Sequence, residues 1–533
     1  MRRPAVLTAL LSLGLVAAAA AQDAEAEAAP PRCDVVLLEG DAAQPVFVRM
    51  TDQLFARGGA FESWCEERGT SPRSALRATT LAELRTRADA SFALVRDRID
   101  TLLEQGQLAE LRRFWIVNGF ACEATPQAVR ALVELDAVAF VHLQSQPGFV
   151  QHRNGERRER WLEERAIDEA TALAHVAARS PEGELTLDGV EIPWNLQRVR
   201  AEHAWREGAT GTGIVIALHD TGLCAAPPLL DALWRNPKET LDGKDEDGNG
   251  YVDDLFGWDF VGDTRFVVGD GARSHGTMCA GIAVGRPYGE PRTITGVAPR
   301  AQVMVLRGMG HLRAYEYAAL MGADVLSLSY MWVDVELGSY RGVFRTAHEH
   351  LAACGVVAVG GAGNFGRSSP PGRQIALPKD IPCVIAAAGI VESGLAAPQS
   401  SRGPCTWDEV PFFHDHPPDA PLAKPDVTGC FGVFPVWHWT SFDDDRRLEV
   451  RWDDGKGFGL IVGPRGNSFA GPHAAGIAAL MLSANPELTP WRIKSLMESS
   501  CLDLGDAGRD TTYGEGLLQA DAAVAAARAA KVE

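Results

Sequence analysis

Residues 213–222 read Gly213-Ile214-Val215-Ile216-Ala217-Leu218-His219-Asp220-Thr221-Gly222. The run Ile214–Leu218 is apolar without a break, and a carboxylate and a glycine follow it almost at once. A strand with one wet face alternates apolar and polar residues, whereas an unbroken run suits a strand covered on both faces. The same texture returns at Val303–Leu306, Val325–Leu328, Val356–Val359 and Val384–Ala388. The segments between fit crossover helices. Val343–Ala353 stops at Gly355, and the segment before Ala323 stops at Gly322, as helices ending on glycine do. The reading is an α/β fold over residues 194–533, a parallel sheet flanked by helices in three layers. Ligands in such sheets bind at the carboxyl ends of the strands, where Asp220 sits.

The chain of 533 residues is long enough for about three to four domain-sized units. Residues 1–21 have the form of a signal peptide: Arg2 and Arg3, an apolar stretch Ala5–Val16, then an alanine run with cleavage expected near Ala21–Gln22. An uncleaved membrane anchor is the alternative, but the apolar part is shorter than the about 20 residues a span needs. The expectation is an exported protein without a membrane partner. Residues 22–150 read as a small α+β unit after a polar spacer. Phe114-Trp115-Ile116-Val117 and Phe140-Val141-His142-Leu143 suit strands, and Thr125-Pro126 suits the N-cap and first position of a helix. Residues 151–193 read as a charged linker, with the Arg/Glu-dense stretch Asn154–Ala170 as a solvated helix. Lys+Arg 51 against Asp+Glu 70 gives a net charge of −19, which argues against a nucleic-acid partner. Ten cysteines are too few for a disulfide scaffold. Cys33, Cys65 and Cys122 precede the linker and seven follow it, so each side keeps an unpaired cysteine or the two sides are bridged.

Three segments carry chemistry. Asp220 ends a strand; His275-Gly276-Thr277 precedes the helix Met278–Val284; Gly466-Asn467-Ser468 precedes Phe469-Ala470-Gly471-Pro472-His473 and the helix Ala474–Leu482. Proline suits a first helical turn, which puts Ser468 at the helix start, where the dipole favours negative charge. Singly, each segment has an ordinary reading as a turn acid, a structural histidine or a helix start. Together, in the order Asp, His, Ser, they resemble the subtilisin-like serine proteases, the subtilase family. Gly296-Val297-Ala298-Pro299, Ala323-Asp324-Val325, Ser401-Arg402-Gly403-Pro404, Lys424-Pro425-Asp426 and Tyr513-Gly514-Glu515-Gly516 extend the likeness from about Trp194 to the end.

The resemblance implies peptide-bond hydrolysis. Ser468 would be the nucleophile, His275 its base, Asp220 the group that orients the ring, and Asn364 an oxyanion donor beside the Ser468 N–H. Ser329 would pair with bound peptide and Gly361 would line the opposite wall, although both suit ordinary strand or turn residues. The leader unit resembles the inhibitory prosegments of the family. This implies a zymogen that cleaves itself between Gln151 and Pro193, with its own propeptide as intramolecular inhibitor and protein or peptides as substrates. A permanently attached interaction domain is the other reading. A monomer is expected. Cys279 resembles the buried thiol of the proteinase K branch.

Asp245, Asp247, Asn249, the Tyr251 carbonyl and Asp253 fall on positions 1, 3, 5, 7 and 9 of a calcium loop, with Phe256 where position 12 needs glutamate. The resemblance supports a structural calcium ion; an acidic turn without metal is the alternative. His414-Asp415-His416 reads as a solvated loop rather than a metal site. Three departures from the family pattern stand out: Met278 in place of a second histidine, Asn467 in place of threonine, and the bulky Tyr330-Met331-Trp332 where small glycines are usual. The last motivates a competing reading, a catalytically weak or inactive peptide-binding protein. An acid-acting relative with glutamate at the base position is opposed by His275 and Asn364. An insertion near 434–460, with a hairpin-like Leu448–Trp452, carries no assignable function.

Overall fold

A computed structural model describes residues 32–144, 169–178, 185–268, 275–288, 292–332, 337–433 and 464–532. The expected signal peptide, most of the charged linker and the 434–460 insertion lie outside the described residues. The strands, in chain order, are β1 (Gln44–Met50), β2 (Leu108–Phe114), β3 (Gly119–Ala124), β4 (Val138–Leu143), β5 (Val215–Asp220), β6 (Gly257–Asp259), β7 (Gln302–Arg307), β8 (Val325–Leu328), β9 (Val357–Gly361), β10 (Ile385–Ile390) and β11 (Val427–Cys430).

β5 to β11 form a seven-stranded sheet in the order β11-β10-β9-β8-β5-β7-β6, and every pair is parallel. The unbroken apolar runs split by parity between two cores. Ile216, Leu218, Val303, Val305, Val325, Val357 and Val359 face one layer, with the helices His275–Val284, Asn467–Ala484 and Ala520–Ala529. Ala217, Met304, Leu306, Leu326, Leu328 and Ala358 face the other, with Leu312–Leu320 and Arg341–Ala353. Two packed faces are why no polar alternation is visible in the strands. The Asn467–Ala484 helix is buried nearly all round, from Phe469 to Leu482, so it shows little amphipathic pattern.

The leader unit is a four-stranded antiparallel sheet, β2-β3-β1-β4, with the helices Arg73–Glu104 and Pro126–Val133. Thr125 caps the second of these, its hydroxyl accepting from Ala128 N–H, with Pro126 opening the helix as its sequence suggests. Phe114–Val117 is not a strand in its own right. β2 ends at Phe114, and Trp115–Val117 turn, because the N–H groups of Trp115 and Ile116 go to the carboxylate of Glu316 on the other unit (2.6 and 3.0 Å). Burial pushes Glu316 up to about 7 against these two bonds. Phe47, Leu84, Phe114, Ile116 and Val117 share one core with Tyr315, Tyr340 and Phe344. Arg73 pairs with Asp324 (2.7 Å), and His350 Nδ1 bonds the Ile116 carbonyl (2.6 Å). The leader therefore rests on the Leu312–Leu320 and Arg341–Ala353 layer. Of the stretch Asn154–Ala170, only the last two residues are described. They open a helix, 169–178, that packs by one side: Glu169 pairs with Arg265 (3.1 Å) and Ala172 is buried, while Ala170, Thr171 and Ala174 are exposed.

Candidate active site

Asp220 closes β5 at the carboxyl edge of the sheet and is fully buried. His275 opens the His275–Val284 helix, and its Nδ1 lies 2.9 and 3.0 Å from the two carboxylate oxygens of Asp220. Thr221 N–H also donates to Asp220 (2.7 Å), and the Thr221 hydroxyl accepts from Gly276 N–H (3.0 Å), tying the acid turn to the helix start. Burial would raise the Asp220 carboxyl, but the facing His275 and these hydrogen bonds outweigh it and hold it below the ordinary aspartate range. Burial would likewise disfavour a charged imidazole, yet Asp220, with Cys279 adding to it, holds His275 well above the ordinary histidine value.

The serine turn is organised around Pro472. The helix begins at Asn467, seven residues earlier than the apolar pattern from Ala474 suggests, so Pro472 lies inside it rather than in its first turn. Proline has no N–H, which deprives the Ser468 carbonyl of its i+4 donor. Ser329 Oγ (2.9 Å) and Cys279 Sγ (3.4 Å) donate to that carbonyl instead. Cys279 is a buried free thiol 3.8 Å from His275 Nδ1, so one sulfur touches both the histidine and the serine turn. Ser468 Oγ lies 3.4 Å from the Ser329 carbonyl.

Asn364 Oδ1 accepts from Asn467 N–H (2.7 Å), which leaves its Nδ2 as the outward donor. Asn467, the departure from threonine, is buried and uses its amide on the Gly363 carbonyl (2.7 Å) and Ser400 Oγ (2.9 Å). Ser401, from the Ser-Arg-Gly-Pro motif, braces the same loop, donating its N–H to Gly363 O and accepting from Phe365 N–H. Gly361 is buried at the end of β9, where a Cβ would collide with the Asn467 carbonyl. Nothing in the sequence marked the part played by the Asn467 amide, because it depends on a loop about a hundred residues away.

The acidic loop gathers differently from its sequence spacing. Oxygens of Glu239, Asp245 and Asp247 lie within 4.8 Å of one another, and Glu239 Oε2 is buried without a partner. Asp253 turns away, its Oδ1 accepting from Asp242 and Gly243 N–H (3.0 and 2.9 Å), a geometry set by its left-handed backbone (φ 56°). Asn249 donates to Asp254 (2.9 Å) and accepts from Tyr251 N–H, and the Tyr251 ring packs on Trp258 and Tyr317. Burial pushes Asp254 up to about 6, against hydrogen bonds from Tyr317, Asn249 and Asn236 that favour its charged form. Glu239 precedes the loop outside any regular spacing, so the sequence pattern did not include it. Three facing carboxylates with an unpartnered buried oxygen fit a hard divalent cation.

A seven-stranded parallel sheet with Asp220, His275 and Ser468 grouped at its carboxyl edge defines a subtilisin-like class. The chain carries a subtilase-family domain, with the Subtilase family model matching residues 211–415 and 461–516. Bacillopeptidase F of Bacillus subtilis is 25% identical over 472 residues, covering 84% of this chain and 29% of that protein. A calcium-dependent protease of Trichormus variabilis is 27% identical over 368 residues, 62% of this chain and 49% of that one. Fervidolysin from Fervidobacterium pennivorans, a keratinolytic enzyme related to subtilisin, has the same fold at 18% identity and a TM-score of 0.54, covering 91% of this chain and 62% of that one. The chain thus spans between 29% and 62% of the length of these three relatives.

Proposed function

We propose that the chain is an exported serine endopeptidase made as a zymogen. The observation that carries this reading is the buried Asp220 carboxylate, which holds the His275 ring one sulfur away from the Ser468 turn. In this mechanism neutral His275 takes the Ser468 hydroxyl proton as the oxygen attacks the peptide carbonyl. Asp220 fixes the Nδ1–H tautomer and stabilises the imidazolium. Negative charge developing on the carbonyl oxygen is met by Asn364 Nδ2 and the Ser468 N–H at a helix start. His275 then passes its proton to the leaving amine, and water repeats the sequence on the acyl-enzyme.

Export is supported by the leading stretch Met1–Ala21 and by an extracellular relative, the minor extracellular protease Epr of Bacillus subtilis. No helix among the described residues is long and apolar enough to cross a membrane. The zymogen reading is supported by the leader's docking through Glu316, Asp324 and the shared aromatic core, which fits an inhibitory prosegment held until it is cut. A fluorophosphonate probe is expected to label Ser468 in the processed protein and not in a Ser468→Ala form. Mass spectrometry of the labelled peptide checks this, and folded, processed protein that resists the probe would refute the reading.

A calcium ion would be held by Glu239, Asp245 and Asp247, and it would supply neutralising charge that pins the 239–254 loop. Calcium at about 100 times its Kd is expected to raise the melting temperature by roughly 5 °C over chelator-treated protein. Asp247→Asn should remove most of that difference. Scanning calorimetry with and without EDTA decides it, and equal melting curves would argue for a metal-free acidic turn.

A further inference from the structure

Ser468 is flanked by the segments at the ends of two neighbouring strands, Ser329–Trp332 after β8 and Gly361–Asn364 closing β9. Ser329 and Gly361 both touch the serine turn. Their chain neighbours, Tyr330 and Gly360, both touch Lys379. The Lys379 Nζ donates to the Tyr330 carbonyl and lies 5.0 Å from the centre of its ring, and a Cβ on Gly360 would collide with Lys379 Cε. Lys379 therefore joins the two segments, one residue back from their contacts with the serine turn on each side. Met331 links the same two segments, lying against Gly363: a Cβ there would lie 2.9 Å from Met331 Cε and 3.0 Å from its Sδ.

Lys379 is completely buried, yet among the described residues no carboxylate lies within ion-pair reach of it. The two other inward lysines behave as expected of buried cations, with Lys424 and Lys494 each 2.6 Å from Asp426. An ammonium carries three donors, and here one carbonyl accepts. Burying such a group without an anion costs several kcal/mol, and the amine is pushed down to about 7. The unbranched thioether of Met331 can change rotamer without moving a packed ring.

We propose that Lys379 sets the substrate preference of this site, selecting an acidic side chain, glutamate or aspartate, on the residue immediately before the bond that is cut. The inference rests on the endopeptidase reading. The groups facing the amine are Asp220, Asp380, Cys279, Tyr330 and, from the Arg341–Ala353 helix, His348. The rival role is electrostatic support of Asp220. The two roles differ in which substrates would suffer when the charge is removed.

The test is kcat/KM for peptides identical except at that residue (Glu, Asp, Gln, Leu), with wild type, Lys379→Met and Lys379→Gln, each checked for folding by its melting curve. Wild type at pH 6.5 is expected to prefer Glu over Gln by about 10- to 100-fold. In both variants the ratio should collapse toward 1, because the acidic peptides lose far more than the amide peptide. The ratio should also fall as pH rises through about 7, where the amine loses its proton; taking a ratio cancels the titration of His275. No preference for Glu in wild type, or a variant loss equal across all peptides, overturns the proposal. If wild type cuts no peptide and resists fluorophosphonate, the endopeptidase reading has failed. Calorimetric binding of peptides ending in Glu or Gln to Ser468→Ala protein then decides this inference alone. Tighter binding of the Glu peptide, by about tenfold or more, supports it, and equal binding overturns it.

Discussion

Ser468→Ala is expected to lower kcat for peptide hydrolysis by about 10⁵- to 10⁶-fold with little change in KM, leaving the slow turnover that oxyanion donors alone support. The nearest substitute nucleophile is Cys279, and the structure disqualifies it. The thiol is fully buried, and burial raises it above the ordinary thiol range. It is already committed to the Ser468 carbonyl, and it shares its histidine rather than having a base of its own. The substitution should be close to neutral for stability, since the lost hydroxyl contact to Ser329 is a long 3.4 Å. Stability and activity therefore separate in one variant. If the leader is removed by the enzyme itself, the same variant should accumulate as the unprocessed chain, visible as a single larger species on a denaturing gel. Residual activity above about 1% of wild type would mean that the nucleophile lies elsewhere.

How much of this was legible in the sequence differs by element. The five long apolar runs gave five strands to within a residue or two, because a sheet packed on both faces leaves an unmistakable pattern. β6 (Gly-Trp-Asp) and β11 (Val-Thr-Gly-Cys) escaped, because neither offers an unbroken apolar run. Asp220, His275 and Ser468 were legible because each sits at an element boundary beside a glycine. Their grouping was not, since it needs the β5, His275–Val284 and Asn467–Ala484 elements to meet. Trp115–Val117 looked like strand because β-branched and aromatic residues favour strands; what bent them was Glu316, about two hundred residues away. The acidic loop gathers differently from its spacing for a related reason. Spacing selected Asp253, but a positive φ turned its carboxylate onto backbone N–H groups, and Glu239 came in from outside the motif. Lys379 gave no signal at all, since a lone lysine beside a proline becomes informative only when its burial and missing counter-ion are seen.

Asp220→Asn isolates the part of the site that acts through another residue. Asparagine has the shape of aspartate, so the Thr221 N–H can keep an acceptor and the fold should persist. What changes is the histidine. The amide cannot hold the Nδ1–H tautomer as the carboxylate does, nor stabilise the imidazolium, and kcat is expected to drop about 10⁴-fold near neutral pH. The pH profile should move as well. Asp220 holds His275 well above the ordinary value, and the ring works as a base only when neutral. Wild-type kcat/KM therefore climbs with pH through a midpoint above 6.5, and activity is lost on the acid side. With the carboxylate gone, burial remains and favours the neutral ring, so the acid limb of the residual activity should shift to lower pH. The linked stability has the opposite sense for the two partners. The raised His275 contributes stability that is present below its unfolded pKa of about 6.5 and fades as pH rises through its folded value. The lowered Asp220 contributes stability that is present above its unfolded value and fades on acidification. Asp220→Asn should flatten both trends in denaturant-unfolding midpoints measured across pH. A variant with wild-type turnover, or with an acid limb that stays in place, would show that Asp220 does not orient the base.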